Sequence, residues 1–448
     1  MSDLTAPLPD GLGGNLTAEE VGASPSVIAG VGRRQVVGAL FALLGLLLMF
    51  ALAPNLTSER RTFAFEPPPE PLSWGFNPQT VVRAIGFVWL LAGAVAWLPA
   101  RLKIVGTIVH TFAAALAIPL VLAVGLALSG SPQTNVTNLL DESLVLATPL
   151  ALGSMTGLWS ERSGIVNIGI EGMMLSSAGL GYMVYALLGD ASGGWWIWLG
   201  VVAAMLTGGL AAALLAVLSI RFQINQIVAG VVINLVALGL TGFVRSEVIV
   251  PSGFAKGEAT TDVAVPLLSH LPILGPTLFK GGPIHFMMYA VVFLSWLVLY
   301  RTPWGLRIRA CGEHPHAAET VGINVPRMRY QSVVVGGLIA GLAGAWFSME
   351  SQSGFDVNMT NSAGFIALAA LIVGKWTPWG AFGGALLFGF TRALGSRLQF
   401  LKVKIGDFEI PSEFFQALPY VVTLVVVAGA LGRAIAPAAE GQPYTPSK

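Results

Sequence analysis

Charged and polar residues interrupt the apolar runs of this chain in one short stretch, SERSGIVNIGIEGMM at positions 160–174, which sets Glu161, Arg162, Asn167 and Glu171 among Gly164, Gly169 and Gly172. Apolar runs flank it on both sides. A charge at the centre of a bilayer costs about 2.5–3.5 kcal/mol on insertion scales, whereas each Leu, Ile, Val or Phe returns only about 0.3–0.6 kcal/mol. Three charges facing lipid would cancel most of the gain of a neighbouring run, so the stretch reaches a membrane surface or lines a polar cavity inside the protein. Irregular backbone at membrane depth is tolerated where it is buried in protein or borders water, and the glycines suit it. A helix that ends near Trp159 and restarts near Gly169 would turn free amides and Asn167 toward a central path. The competing reading is a solvated turn, since turns also favour Gly, Asn and charge; the length of the stretch and the apolar IVNIGI favour a buried segment.

Two further stretches carry polar groups. SQSGFDVNMTNSAGFIALAALIVG (351–374) again places a Ser-Gly pair and asparagines before a new apolar run, and by parity of the spans it falls on the opposite membrane side. This is the arrangement of an inverted repeat, in which transport sites form at the repeat interface; two unrelated polar loops are the alternative. RTPWGLRIRACGEHPHAAETVGINVPRMR (301–329) holds Pro315 and Gly322, which suit the start and end of a short helix over HAAETVG. A protruding helix framed by basic residues is a surface on which a soluble partner docks, and a solvated connector is the plainer reading. Cys311, His314 and His316 match no closed metal pattern. The chain has no G-x-x-x-x-G-K-[ST] phosphate loop, no H-E-x-x-H and no G-x-S-x-G, so it cannot hydrolyse ATP alone and an intramembrane enzyme is not expected. His110, His270 and His285 are scattered and read as packing or interface residues.

The elements that position these stretches follow from composition. Of 448 residues 54% are hydrophobic and 10% charged, and the mean hydropathy is +0.74; the class is an all-α polytopic membrane protein. A helix crosses a bilayer core of about 30 Å with roughly 20 apolar residues. Twelve apolar runs meet or approach this: 36–53, 81–98, 104–130, 143–159, 172–188, 195–219, 226–247, 284–300, 331–349, 364–374, 379–395 and 414–432. The tenth and eleventh are short and tightly joined, so they form two spans or one re-entrant hairpin, and the total is 10–12 transmembrane helices. Pro54 after Ala51–Ala53 disfavours a cleaved leader, as do the long apolar run and the residues that precede it. Arg33, Arg34, Arg101, Lys103, Arg221, Arg301, Arg307, Arg309, Arg327, Arg329 and Arg433 fall on one side under strict alternation, which places both termini in the cytoplasm. Lys256, Lys280, Lys402 and Lys404 lie in longer loops on the other side. The single Cys311 forms no internal disulfide, and the net charge of +1 points to no acidic partner.

SERSGIVNIGIEGMMLSSAG (160–179), GLRIRACGEHPHAAETVGINVPRMR (305–329) and GFIALAALIVGKWTPWGAFGGALLFG (364–389) occur in an order that resembles the permease subunits of bacterial ABC importers of the branched-chain amino acid, ribose and nucleoside superfamily, most closely the nucleoside and simple-sugar branch. The resemblance covers about residues 140–435. Composition gives a disordered cytoplasmic tail over 1–35 and a disordered tail over 436–448, and the resemblance sets an N-terminal extension with about three transmembrane helices over 36–140 before a permease core over 141–435. It implies a subunit of the plasma (inner) membrane that pairs with a second permease, so as a heterodimer, two ATPase copies that hold ATP and Mg, and an extracytoplasmic binding protein that delivers the solute. No cofactor is expected in this chain, and no nucleic-acid partner. Gly164, Asn167, Gly169, Glu171 and Gly172 are then the pathway residues, and Gly312, Glu313, His316, Ala317, Ala318, Glu319 and Gly322 the ATPase coupling loop. His316 stands where the general coupling pattern E-A-A-x-x-x-G has Glu. Purine nucleosides are the expected solute, with a simple sugar as the alternative. An ion-coupled secondary transporter stays open as a different class, since it too uses inverted repeats and broken helices.

Overall fold

The computed structural model describes residues 33–65, 72–97, 106, 108–109, 112–113, 116–128, 131–189, 194–253, 257–401, 404–405, 408–409, 411–425 and 435–445. Expectations that fall on residues 1–30 and on Arg101, Lys103, His110, Lys256, Lys402 and Arg433 lie outside the described residues.

Apolar composition yields helix almost throughout, and the helix starts are written locally. Asn77, Thr302 and Thr377 each precede a proline, and each side chain accepts a hydrogen bond from an amide three residues on: Thr80 at 3.3 Å, Gly305 at 3.2 Å and Gly380 at 3.2 Å. The cap satisfies one orphan amide, and proline at the next position gives up an N–H that would have had no partner. Two of these starts share the sequence Thr-Pro-Trp-Gly, at 302–305 and 377–380.

The chain divides into two compact units. One comprises Met1–Arg61 with Gly75–Leu128; its described helices are α1 (Arg33–Leu46, continuing to Leu52), α2 (Pro78–Val95) and α3 (Ala117–Leu128). Leu48, Val82, Ile85, Trp89 and Leu120 form its core, where the Trp89 indole donates to the Ala113 carbonyl at 2.7 Å.

The other unit comprises Thr62–Trp74 with Ser129–Lys448. Thr62 and Ala64 pair in parallel register with Gln133 and Asn135. The helices that follow are α4 (Val136–Arg162), α5 (Ile170–Gly189), α6 (Trp196–Ala216), α7 (Gln226–Val244), α8 (Leu274–Leu278), α9 (Pro283–Arg301), α10 (Pro303–Glu313), α11 (Pro315–Thr320), α12 (Val325–Ala345), α13 (Ala363–Val373) and α14 (Pro378–Phe400). Further helical turns carry α6 to Arg221, α7 to Ile249 and α12 to Ser351. α12 lies against α4, α5 and α6. A Cβ added to Gly337 would strike the Gly208 carbonyl, and one added to Gly341 the Ala204 carbonyl. Lipid offers helices no hydrophobic reason to associate, so such close backbone approach supplies the packing energy.

Among the described residues eight helices are long and apolar enough to cross a membrane, fewer than the twelve apolar runs. α13 accounts for part of the difference. Its 11 residues extend about 16 Å against a core of about 30 Å. The tenth run is therefore half a span, whereas α14 has the length of a full one, with 23 residues, two of them Arg392 and Arg397.

The end of the chain corrects the expectation of a disordered tail over 436–448. Residues 435–445 pack into the second unit, where Ala439 and Tyr444 are buried. Backbone groups there find partners in Gly312 and Gly164, which composition alone does not reveal.

Candidate functional site

The break lies close to its expected place: α4 runs to Arg162 and α5 restarts at Ile170. Gly164 has φ +94°, and a Cβ there would sit 2.8 Å from Arg329 Nη2 and 3.2 Å from the Ala439 carbonyl, so only glycine fits. Asn167 is fully buried. Its Nδ2 donates to Ser160 Oγ at 3.2 Å, while its Oδ1 has no partner. Gly169 and Gly172 let the backbone close on α7, against Gly230 and Asn234. The unwound backbone borrows partners from that helix. Gln226 Oε1 accepts from the Val166 amide at 2.7 Å, Asn234 Oδ1 accepts from the Gly172 amide at 2.7 Å, and Asn234 Nδ2 donates to the Ile168 carbonyl at 3.0 Å. Sequence reasoning missed Gln226 and Asn234. A Gln and an Asn inside the apolar run 226–247 were the available signal, because a polar side chain in a span needs a partner.

Glu171 is buried, and it receives three hydrogen bonds from the second polar stretch: Thr360 Oγ1 at 2.6 Å and the Ser362 amide at 3.0 Å on one oxygen, the Gly364 amide at 2.6 Å on the other. It thus caps the N-terminus of α13 from another helix. Toward the other end of α13, Trp376 Nε1 donates to Glu161 at 2.6 Å and Arg162 donates to the Trp376 carbonyl at 2.6 Å. A carboxylate at the helix start and a guanidinium just past its end both complement the helix dipole. Residues 161–171 therefore clamp α13 at its two ends, and Gly153 and Gly157 of α4 face Ala367 and Leu371 along its side. The stretch 351–364 is exposed at Asp356, Val357 and Asn358 and buried at Met359, Thr360 and Ala363. It starts beside Arg245, which pairs with Asp356 at 2.5 Å, and runs inward to Glu171. The two polar stretches thus meet in direct contact at Glu171.

The residues expected to form the coupling loop fall on two faces. Gly312 and Ala318 point inward: a Cβ on Gly312 would meet the Arg162 carbonyl, and Ala318 is buried beside Cys311, Val325 and Tyr444. Burial pushes the Cys311 thiol up to about 11, which leaves it unreactive. Glu313 reaches back to Arg162 at 3.6 Å, and Glu319 is half-buried. His316, Ala317 and Gly322 are exposed; Gly322 has φ +81° and open space around it. A cavity of about 1380 Å³ opens between α10 and the start of α12, lined by Trp304, Arg307, Val321, Ile323, Arg327 and Gln331 among others. His285 is buried in the bundle and hydrogen-bonds Thr148 at 2.8 Å and Tyr289 at 3.1 Å.

Apolar helices that turn their polar groups inward around a break, with a helix pair exposed at one end, define a multi-pass membrane transport component. Residues 139–427 match the family described as the permease component of branched-chain amino acid transport systems, and the chain belongs to that family. It is 40% identical over 320 residues to the guanosine ABC transporter permease NupQ of Bacillus subtilis, covering 68% of this chain and 96% of that one. It is 38% identical over 322 residues to the nucleoside ABC transporter permease NupC of Lactococcus lactis, covering 70% and 100%. It is 36% identical over 267 residues to the putative glucose ABC transporter permease TsgC13 of Haloferax volcanii, covering 60% and 79%. No solved structure matches the chain. Members of this family are transport subunits, not enzymes, and act with an ATPase and a substrate-binding protein. This sets aside the ion-coupled carrier. Residues 1–138 lie outside the family match.

Proposed function

We propose that the chain forms part of the translocation path of an ATP-driven nucleoside importer of the bacterial plasma membrane, with both termini in the cytoplasm. The observation that carries the solute class is the match to NupQ and NupC over 96% and 100% of their lengths, both named for nucleosides. A simple sugar is the second reading, favoured by the match to TsgC13. The subunit pairs with a second permease, and ATPases dock on the exposed face of α11, at His316, Ala317 and Gly322. Residues 36–140 are an extension to a permease core over 141–435.

Within the core, Gly164 to Gly172 form the movable part of the path. Asn167 offers the unpartnered Oδ1, and Glu171 acts by holding the start of α13. Arg162 supports this reading because it touches both α13, through the Trp376 carbonyl, and the coupling helix, through Glu313. A push on α10 or α11 from the ATPase reaches the break through that side chain. The test is uptake of labelled guanosine by proteoliposomes that contain this chain, its ATPase, the second permease and the binding protein. ATP-dependent uptake, displaced by other nucleosides and not by glucose, is expected. Glucose uptake with no guanosine uptake would overturn the nucleoside assignment.

A further inference from the structure

Residues 437–444 touch both sides of the joint between the break and the coupling helices. The Gly441 amide donates to the Gly164 carbonyl at 3.1 Å, in the break, and the Ala439 amide donates to the Gly312 carbonyl at 2.9 Å, in α10. The Ala438 amide donates to the Glu313 carboxylate at 3.2 Å. Farther along, the Tyr444 ring lies 5.2 Å from the His316 ring of α11 and faces the Arg329 guanidinium at 5.7 Å. Arg329, buried at the start of α12, also donates to the Ser163 carbonyl at 3.1 Å and the Gln442 carbonyl at 3.3 Å. In the middle of the segment the Glu440 carboxyl is placed to hydrogen-bond the buried Glu161 carboxyl. Such a bond requires a proton on one of them. The second oxygen of Glu440 is buried without a partner. Among the described residues, Arg162 of α4 acts on Glu440, while Arg329 of α12 and Glu313 of α10 bond the backbone beside it at Gln442 and Ala438.

We propose that residues 437–444 are a strap that transmits movement of the coupling helices to the break, and that the proton shared by Glu440 and Glu161 is its catch. The proposal rests on the importer reading above. Backbone hydrogen bonds to Gly164 and to Gly312 from residues two apart make a short connection, so the two sites cannot separate without breaking one of them. Loss of the shared proton would set two carboxylates against each other where water is scarce, which opposes docking. Burial, ahead of the influence of Glu161 and Arg162, pushes the Glu440 carboxyl up from 4.5 to about 7. A docked group with a raised pKa incurs no penalty in acid. The penalty grows as pH rises from 4.5 and is complete above about 7, so the strap holds at lower pH and loosens at higher pH.

The experiment measures solute imported per ATP hydrolysed by the reconstituted full complex between about pH 6 and 8, a window that brackets the Glu440 transition. The ratio for the unaltered chain should fall several-fold as pH rises. Glu440→Gln, which keeps a neutral hydrogen-bonding group, should flatten that profile. Tyr444→Ala should lower the ratio several-fold at every pH while ATP hydrolysis persists. Unchanged ratios, or equal loss of hydrolysis and uptake in both variants, would overturn the strap. If the unaltered complex imports nothing, the importer reading fails instead. The strap is then read by hydrogen exchange at the Ala439 and Gly441 amides, corrected for the intrinsic pH dependence. Protection must fall as pH rises toward about 7 in the unaltered chain and persist in Glu440→Gln; protection that is pH-independent in both sinks the idea.

Discussion

Glu171→Ala tests the clamp on α13 most directly. The substitution removes the acceptor of the Thr360 hydroxyl and of the Ser362 and Gly364 amides. Each buried donor left unpaired costs about 1–3 kcal/mol, and loss of the charge at a helix N-terminus adds about 0.3–1 kcal/mol, or up to about 2 in partly buried geometry. Even with relaxation of the loop, the start of α13 should lose on the order of 3 kcal/mol, which is roughly a hundredfold in its opening equilibrium. Glu171→Gln retains one acceptor oxygen but turns an NH₂ toward a backbone N–H, so it should cost about 1–3 kcal/mol. Hydrogen exchange at the amides of 362–366 reads this locally, and thermal unfolding of the purified subunit reads it globally. Protection should fall about a hundredfold in the alanine variant and less in the glutamine variant. If both variants keep wild-type protection and melting temperature while the Michaelis constant for uptake changes, Glu171 contacts the solute and the capping role is wrong.

Other perturbations separate neighbouring roles. Asn234→Ala orphans the Gly172 amide and the Ile168 carbonyl, and should destabilise the subunit by about 2–4 kcal/mol, which thermal unfolding would register. Gly322→Trp meets no atom of this chain within 4 Å of its Cβ, so beyond the backbone strain it should leave the melting temperature nearly unchanged while co-purification of the ATPase falls; retained ATPase would remove Gly322 from the docking face. Gly312→Val drives a side chain into the Arg162 carbonyl and should lower stability and uptake together. Trp376→Phe leaves Glu161 without its indole donor and should cost about 1–3 kcal/mol, as expected for a buried acceptor left unpaired; an unaltered melting temperature would show that this contact does not hold the end of α13.

The helix pattern, the break near 160–172 and the short helix after Pro315 were all legible in the chain, because each rests on local chemistry. Runs of apolar residues, a proline after an Asn or Thr cap, and glycine where φ is positive act within a few residues. The polar stretch at 351–364 was legible as unusual, but its route was not. Parity counting assigns every loop to one surface or the other, and it has no category for a segment that enters the bundle and starts a half-length helix there. The Thr-Pro-Trp-Gly starts at 302 and 377 were a repeat present in the sequence that periodicity alone did not bring out.

The roles of Glu171, Arg329, Gln226 and Asn234 were decided by tertiary structure. A carboxylate between apolar runs satisfies the same insertion arithmetic whether it faces a path or caps a helix almost two hundred residues away. Only contact distinguishes the two. The segment 435–445 illustrates the same point in reverse, since its Gly, Pro and Ala composition suits a solvated tail, and it is ordered by backbone bonds to Gly164 and Gly312. Composition and spacing determine which residues must leave lipid and where the backbone must bend, since those energies are local. Which buried partner each polar group finds depends on how distant segments meet, and that is set by packing of the whole bundle.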